Sequence, residues 1–103
     1  METLKQALLA LTPRVYNFLA APDTEPPYLV WQQDGSNDLL AGNSHAETAA
    51  VASVDLFTTR ASDPLMEAVP RALEDAGICW YLNSVQHEKE TGLYHYEWYV
   101  EVV

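Results

Sequence analysis

Three histidines, one cysteine and fifteen carboxylates are the residues of this 103-residue chain best equipped to hold a metal or move a proton. Their spacing decides what they can do. Asp34-Gly35-Ser36-Asn37-Asp38 opens like a calcium loop, with oxygen ligands at alternate positions for a hard cation. A loop begun at Asp34 needs glycine at its sixth position and glutamate at its twelfth, and Leu39 and His45 stand there. The segment reads as a solvated turn. His45, His87 and His95 show neither the i, i+4 pairing nor the short ligand spacing of a metal site. A meeting of His87 and His95 across a hairpin stays open, against the simpler reading of surface imidazoles on a sheet. Cys79 lies between Ile78 and Trp80 at the start of an expected buried strand, where a cysteine acts as a small hydrophobe rather than a nucleophile. Four scattered glycines build no phosphate cradle, and no Gly-x-Ser-x-Gly, Cys-x-x-Cys or paired-acid pattern occurs. No enzymatic activity, cofactor or metal is expected.

Charge excludes further classes. Five basic against fifteen acidic residues leave a net charge of −10 at pH 7, with a pI near 4.4. Binding to nucleic acid draws much of its affinity from Lys and Arg, so a surface that grips a phosphate backbone is disfavoured, as is an anionic membrane. No apolar run approaches the roughly 20 residues that span a bilayer. Met1-Glu2-Thr3 lacks a basic leader, so no signal peptide is expected, and a lone cysteine fits a reducing compartment. The expectation is a soluble protein, cytoplasmic where it is made. At 49% apolar and 11% aromatic the chain can bury a core, and its length suits a single domain, residues 1–103.

The elements follow from periodicity. Leu4, Leu8 and Leu11 mark one face of a helix over about residues 2–11, ended by Pro13. Residues 14–19 predict a short strand, the three prolines of 22–27 a loop, and Tyr28 to Gln33 a second strand. Turn residues at 34–38 and again at 42–44 predict a long polar excursion over 34–45, tipped by Leu39 and Leu40. From Glu47 to Thr59 a long strand places Ala50, Ala52, Val54 and Leu56 on one face. Asp63-Pro64 starts a second helix with an N-cap acceptor and a proline where a missing N–H costs nothing. Leu65, Val69 and Leu73 form its buried stripe, Pro70 should kink it and Gly77 should cap it. Ile78 to Gln86 predicts a strand, and residues 87–92 a charged turn. Tyr94, Tyr96, Trp98, Val100 and Val102 then alternate strictly with polar neighbours and complete a hairpin. The order α-β-β-β-α-β-β predicts an α+β fold, a mostly antiparallel β-sheet packed against two α-helices.

Six of the eleven aromatic residues fall in the last quarter: Trp80, Tyr81, Tyr94, Tyr96, Trp98 and Tyr99. Tyr94, Tyr96 and Trp98 are expected under the helices. Trp80, Tyr81 and Tyr99 are candidates for a subunit interface, where aromatics are enriched.

Two stretches carry a family likeness. Ser53-Val54-Asp55-Leu56-Phe57-Thr58-Thr59, followed by Asp63-Pro64-Leu65-Met66-Glu67-Ala68-Val69 and Ala72-Leu73-Glu74-Asp75-Ala76-Gly77, resembles the strand-then-helix unit of tail-completion, or tail-terminator, proteins of long-tailed bacteriophages. Glu90-Thr91-Gly92-Leu93-Tyr94-His95 resembles their final hairpin, and the N-terminal helix followed by Pro26-Pro27-Tyr28-Leu29-Val30 is similar too. The resemblance implies a structural, non-enzymatic virion protein that assembles into a ring, typically hexameric. Such a ring caps the tail tube, stops its polymerisation and joins the tail to a head-side connector protein. It implies three partners, namely further copies of the chain, the tail-tube protein and the connector. It also implies a place at the head-proximal end of the tail, reached through the host cytoplasm during assembly. A net charge of −10 suits a ring through which DNA slides unheld. Tyr28, Trp31, Asp38, Leu39, Leu40, Tyr81 and Tyr99 are the candidate oligomer or partner interface.

Two other classes compete. An acidic DNA mimic or inhibitory binding protein would need clustered carboxylates, and only Glu74-Asp75 and Glu88 with Glu90 are dense. A small metal enzyme fails on ligand spacing.

Overall fold

The computed structural model describes residues 1–38 and 48–102. Helix α1 (Glu2–Leu9) and strand β1 (Val15–Asn17) are followed by β2 (Tyr28–Asp38) and β3 (Thr48–Thr58). Helix α2 (Leu65–Asp75) and strands β4 (Cys79–Glu88) and β5 (Leu93–Val102) complete the chain. This is the expected α+β order. The five strands form one sheet in the order β1-β2-β3-β5-β4. Among the described residues β1 runs parallel to its neighbour β2, and the other pairings are antiparallel.

Both helices pack on one face of the sheet. Leu4 and Leu8 of α1 and Val69 and Leu73 of α2 are fully buried, in one cluster with Leu29, Ala52, Val54, Leu56, Trp98 and Val100. The strand alternation read from the sequence is the reason, since a period of two sends Ala52, Val54 and Leu56 to the same side. The interstrand register aligns Leu29, Leu56 and Tyr96 in one row, and Trp31, Val54 and Trp98 in the next. Pro70 lies within α2, which runs on through it to Asp75.

Both ends of α2 are closed by local chemistry. Asp63 Oδ1 accepts from the backbone N–H of Leu65 at 2.8 Å, and its Oδ2 accepts from the buried Thr58 hydroxyl at 2.7 Å. One carboxylate thus caps the helix and ties it to the end of β3. At the other end Gly77 takes φ +74°, a conformation that favours glycine. Its N–H donates to the Glu74 carbonyl and that of Ile78 to the Leu73 carbonyl, a Schellman arrangement that buries Ile78 against Leu73. Gly92, at φ +73°, closes the β4–β5 hairpin by donating its N–H to the Glu88 carbonyl.

Two sequence expectations are corrected here. The turn expected at 34–38 is strand: β2 continues to Asp38, paired with Thr48, and the Asp34-Gly35 signal marks a bulge between Gln33 and Gly35. Aspartate and glycine favour irregular backbone, and a bulge uses that preference without ending the ladder. The expected apolar tip at Leu39 and Leu40 lies outside the described residues. Cys79 is exposed rather than buried. Ile78 takes the buried place beside the helix cap, so alternation turns Cys79 to the other side. Among the described residues no helix is long and apolar enough to cross a membrane.

Replacing Asp63 with alanine removes the cap of α2 and a partner of the buried Thr58 hydroxyl together. D63A should lower unfolding stability by about 2 kcal/mol in a urea titration, whereas D63N, which keeps an acceptor for the Leu65 N–H, should lose about half of that.

Candidate functional site

Because both helices sit on one side, the opposite face of the sheet carries no helix among the described residues. Tyr28, Val30 and Gln32 of β2, Val51, Ser53, Asp55 and Phe57 of β3, and His95, Glu97, Tyr99 and Glu101 of β5 share it by register. Cys79 and Tyr81 of β4 join them. This face holds most of the chemistry left exposed, and it divides into two halves.

One half is an aromatic stack with a histidine–carboxylate hydrogen bond at its end. Tyr28 lies on Phe57 at 5.0 Å between ring centroids, and Phe57 on the His95 imidazole at 4.3 Å. Tyr16 meets Tyr28 edge-on at 6.2 Å. His95 Nε2 lies 2.7 Å from Asp55 Oδ1. The hydrogen bond to Asp55 raises the His95 pKa above its ordinary value, helped by the negative charge of Asp55, Glu97 and Glu88 and opposed by burial. Burial, with a smaller push from Glu88, raises the Tyr28 phenol as well.

The other half lies toward the opposite end of the strands, around the row formed by Gln32, Ser53, Tyr99 and Tyr81. Tyr81 and Tyr99 meet edge to face at 5.4 Å and 84°. A bulge between Leu82 and Ser84 leaves Asn83 as the extra residue, and its amide donates to Glu97 Oε1 at 2.8 Å. The bulge in β2 sets Asp34 beside Gln32, whose amide donates to Asp34 Oδ1 at 3.1 Å. Tyr99 is pushed above its ordinary pKa, first by the charge of Glu97 and then by burial, Tyr81, Asp34 and Asp55. A negative field therefore covers this half.

The residues expected at an interface are dispersed. Tyr81 and Tyr99 come together, with Tyr81 59% exposed. Tyr28 shares their face but belongs to the aromatic stack, and Asp38 ends β2. Trp31 is a correction: it is 8% exposed and packs in the core, because β2 alternation points it at the helices. Trp80 also faces that way, its indole N–H donating to Glu74 Oε1 at 3.2 Å. His87 and His95 do not meet, since His87 pairs with Tyr94 and His95 with Gln86, on opposite faces. Among the described residues no three of His, Cys, Asp and Glu gather into a group that could hold a metal.

Sequence reasoning missed Asp55 as a partner of His95 and missed the exposed pair Phe18 and Leu19, 64% and 78% accessible. Asp55 was readable as a carboxylate on the outward face of an apolar strand. Phe18 carried no such signal. It sits at φ +70°, inside a three-residue turn closed by the Leu19 N–H on the Asn17 carbonyl at 2.9 Å, a backbone state costly for an aromatic residue.

No protein-family model matches the chain, and no curated protein matches it. A chain from a solved structure described as the virion of a native gene transfer agent particle is similar in fold, with a TM-score of 0.59 at 13% identity. The match covers 95% of this chain and 88% of that one. At this identity the likeness is one of fold.

The His95 pKa, raised by Asp55, makes folding depend on pH. The contribution is fully present below the unfolded value near 6.5 and is lost as pH rises through the higher folded value. Urea titrations from pH 5.5 to 8.5 should show wild type losing its advantage over D55N across that interval, and the His95 ring should titrate at lower pH by NMR in D55N. The placement of the interface candidates is tested by truncation. W31A should cost about 3–5 kcal/mol of unfolding stability, as an emptied core site does, and Y81A about 1 kcal/mol or less.

Proposed function

We propose that this chain is a structural, non-enzymatic protein of a tailed virion or virion-like particle, and that it caps the tail tube and joins it to the head-side connector. The observation that carries the reading is the shared fold, over 95% of the chain, with a chain of a gene transfer agent virion. The strand-then-helix unit of residues 53–77 and the hairpin at 90–95 add the resemblance to tail-completion proteins.

In this reading several copies, typically six, form a ring at the head-proximal end of the tail. A ring needs two different surfaces on each subunit that fit one another, so that each copy meets the next in the same way. The chain offers the uncovered sheet face with Tyr28, Tyr81 and Tyr99, the far end of β2 with Asp38, and the exposed Phe18 and Leu19 near β1. Leu39 and Leu40 stay in the proposal as contacts to a neighbouring copy or to the tube. Trp31 leaves it, since its indole serves the core. A net charge of −10 per copy opposes adhesion of the DNA that must pass.

The test has two stages. Light scattering over a concentration series should give a mass several times 11.5 kDa, or a monomer that becomes ring-shaped density at the ends of polymerised tail-tube protein in electron micrographs. Tubes grown with the chain present should be shorter. A monomer that neither decorates tube ends nor changes tube length overturns the proposal.

A further inference from the structure

On the uncovered face the half around the Gln32, Ser53, Tyr99 and Tyr81 row is hollow. A concavity of about 520 Å³ opens there, and Tyr81, Tyr99, Asp34, Glu97 and Glu101 are among its walls. That volume lies within the range of small-ligand pockets, large enough for one long side chain. What can fill it follows from charge, ring geometry and the sheet edge.

Among the described residues three carboxylates border the hollow and no lysine or arginine does. Asp34 and Glu97 each accept from a neutral amide, of Gln32 and Asn83 respectively, and among the described residues no cation compensates their charge. The chain's five cations are all placed elsewhere. Lys5 lies in α1, Arg14 reaches the Glu25 carboxylate at 3.8 Å, Arg60 follows β3, Arg71 lies in α2 and Lys89 in the hairpin turn. The raised Tyr99 pKa reports the same negative field.

Edge-to-face contact between Tyr81 and Tyr99 leaves one ring's faces clear of the other. A guanidinium stacks on such a face, and its fork of donors suits carboxylates on either side. β4 is the last strand of the sheet, so one of its backbone edges has no strand beside it among the described residues. An extended chain can lie along that edge and send alternate side chains into the hollow. A phosphate-bearing partner is repelled by the same carboxylates.

We propose that this hollow is the docking site for an arginine-bearing extended segment of a partner protein, with a guanidinium stacked at the Tyr81–Tyr99 pair and held by Glu97, Glu101 and Asp34. The inference is independent of the tail-capping reading, because its test uses the isolated chain and a peptide. Failure of either leaves the other standing.

The probe is a fluorescein-labelled peptide carrying arginine at alternate positions, followed by anisotropy at low ionic strength. Wild type should bind it, and the doubly substituted E97Q/E101Q should bind about tenfold more weakly. A second double variant, E67Q/E90Q, removes the same charge from exposed positions outside the hollow and should bind within about twofold of wild type, a residual long-range effect. Y81A/Y99A should lose binding while Y81F/Y99F, which keeps both rings, retains it. Circular dichroism melts establish that each variant is folded. Should Y81A/Y99A fail to fold, the two charge variants and the phenylalanine pair decide the matter. Equal weakening in E67Q/E90Q and E97Q/E101Q would reduce the effect to bulk charge and overturn the site. Spermine binding as tightly as the peptide would overturn the assignment to a protein segment.

Discussion

Two helices bring four fully buried side chains, Leu4, Leu8, Val69 and Leu73, to one face of a five-stranded sheet. Apolar burial is worth about 25 cal/mol per Å², so this contact is the main source of stability in so small a chain. Its one-sidedness is the constraint from which the remaining features follow. The strands must alternate, since only one face meets the helices. The second face must be made tolerable in water by polar and half-buried aromatic groups. Tyr28, Phe57 and His95 solve that problem at one end by stacking on each other, and Tyr81 and Tyr99 at the other by an edge-to-face pair.

The placement of α2 depends on two small devices at its ends. Asp63 joins the helix start to Thr58 at the end of β3, and Gly77 turns the chain so that Ile78 enters the core and β4 begins at the edge of the sheet. β5 then returns between β3 and β4, which makes the unit from β3 to β4 a split crossover with α2 lying over it. That insertion flanks β5, with its alternating aromatics, by a strand on each side, where Trp98 and Tyr96 can be buried.

The acidic excess has a local expression. With so few cations in the chain, carboxylates on the uncovered face find imidazole or amide groups rather than arginine. His95 is drawn to Asp55, Gln32 to Asp34 and Asn83 to Glu97. A face of this kind repels phosphate and favours cationic groups, which suits contact with proteins rather than with nucleic acid. The two bulges, in β2 and β4, bring Asp34 and Asn83 to their amide and carboxylate partners.

By itself the sequence determined most of the elements and the inward faces of α1, α2, β3 and β5. The Leu4–Leu8 and Val69–Leu73 spacings, the strict alternation from Tyr94 to Val102, the Asp63-Pro64 start and the Gly77 stop are signals read within a few residues, and local periodicity and capping chemistry suffice to decode them. Tertiary structure decided which strands became neighbours, and with that the site. Asp55 and His95 are 40 residues apart and meet only because β3 pairs with β5 in one register. Tyr81 and Tyr99 meet for the same reason across β4 and β5. The fate of Trp31 and Cys79 was likewise beyond local reading, since an isolated strand does not reveal which face a helix will cover. Asp34-Gly35 carried turn chemistry that a bulge could also use, and only the pairing with β3 chose between them.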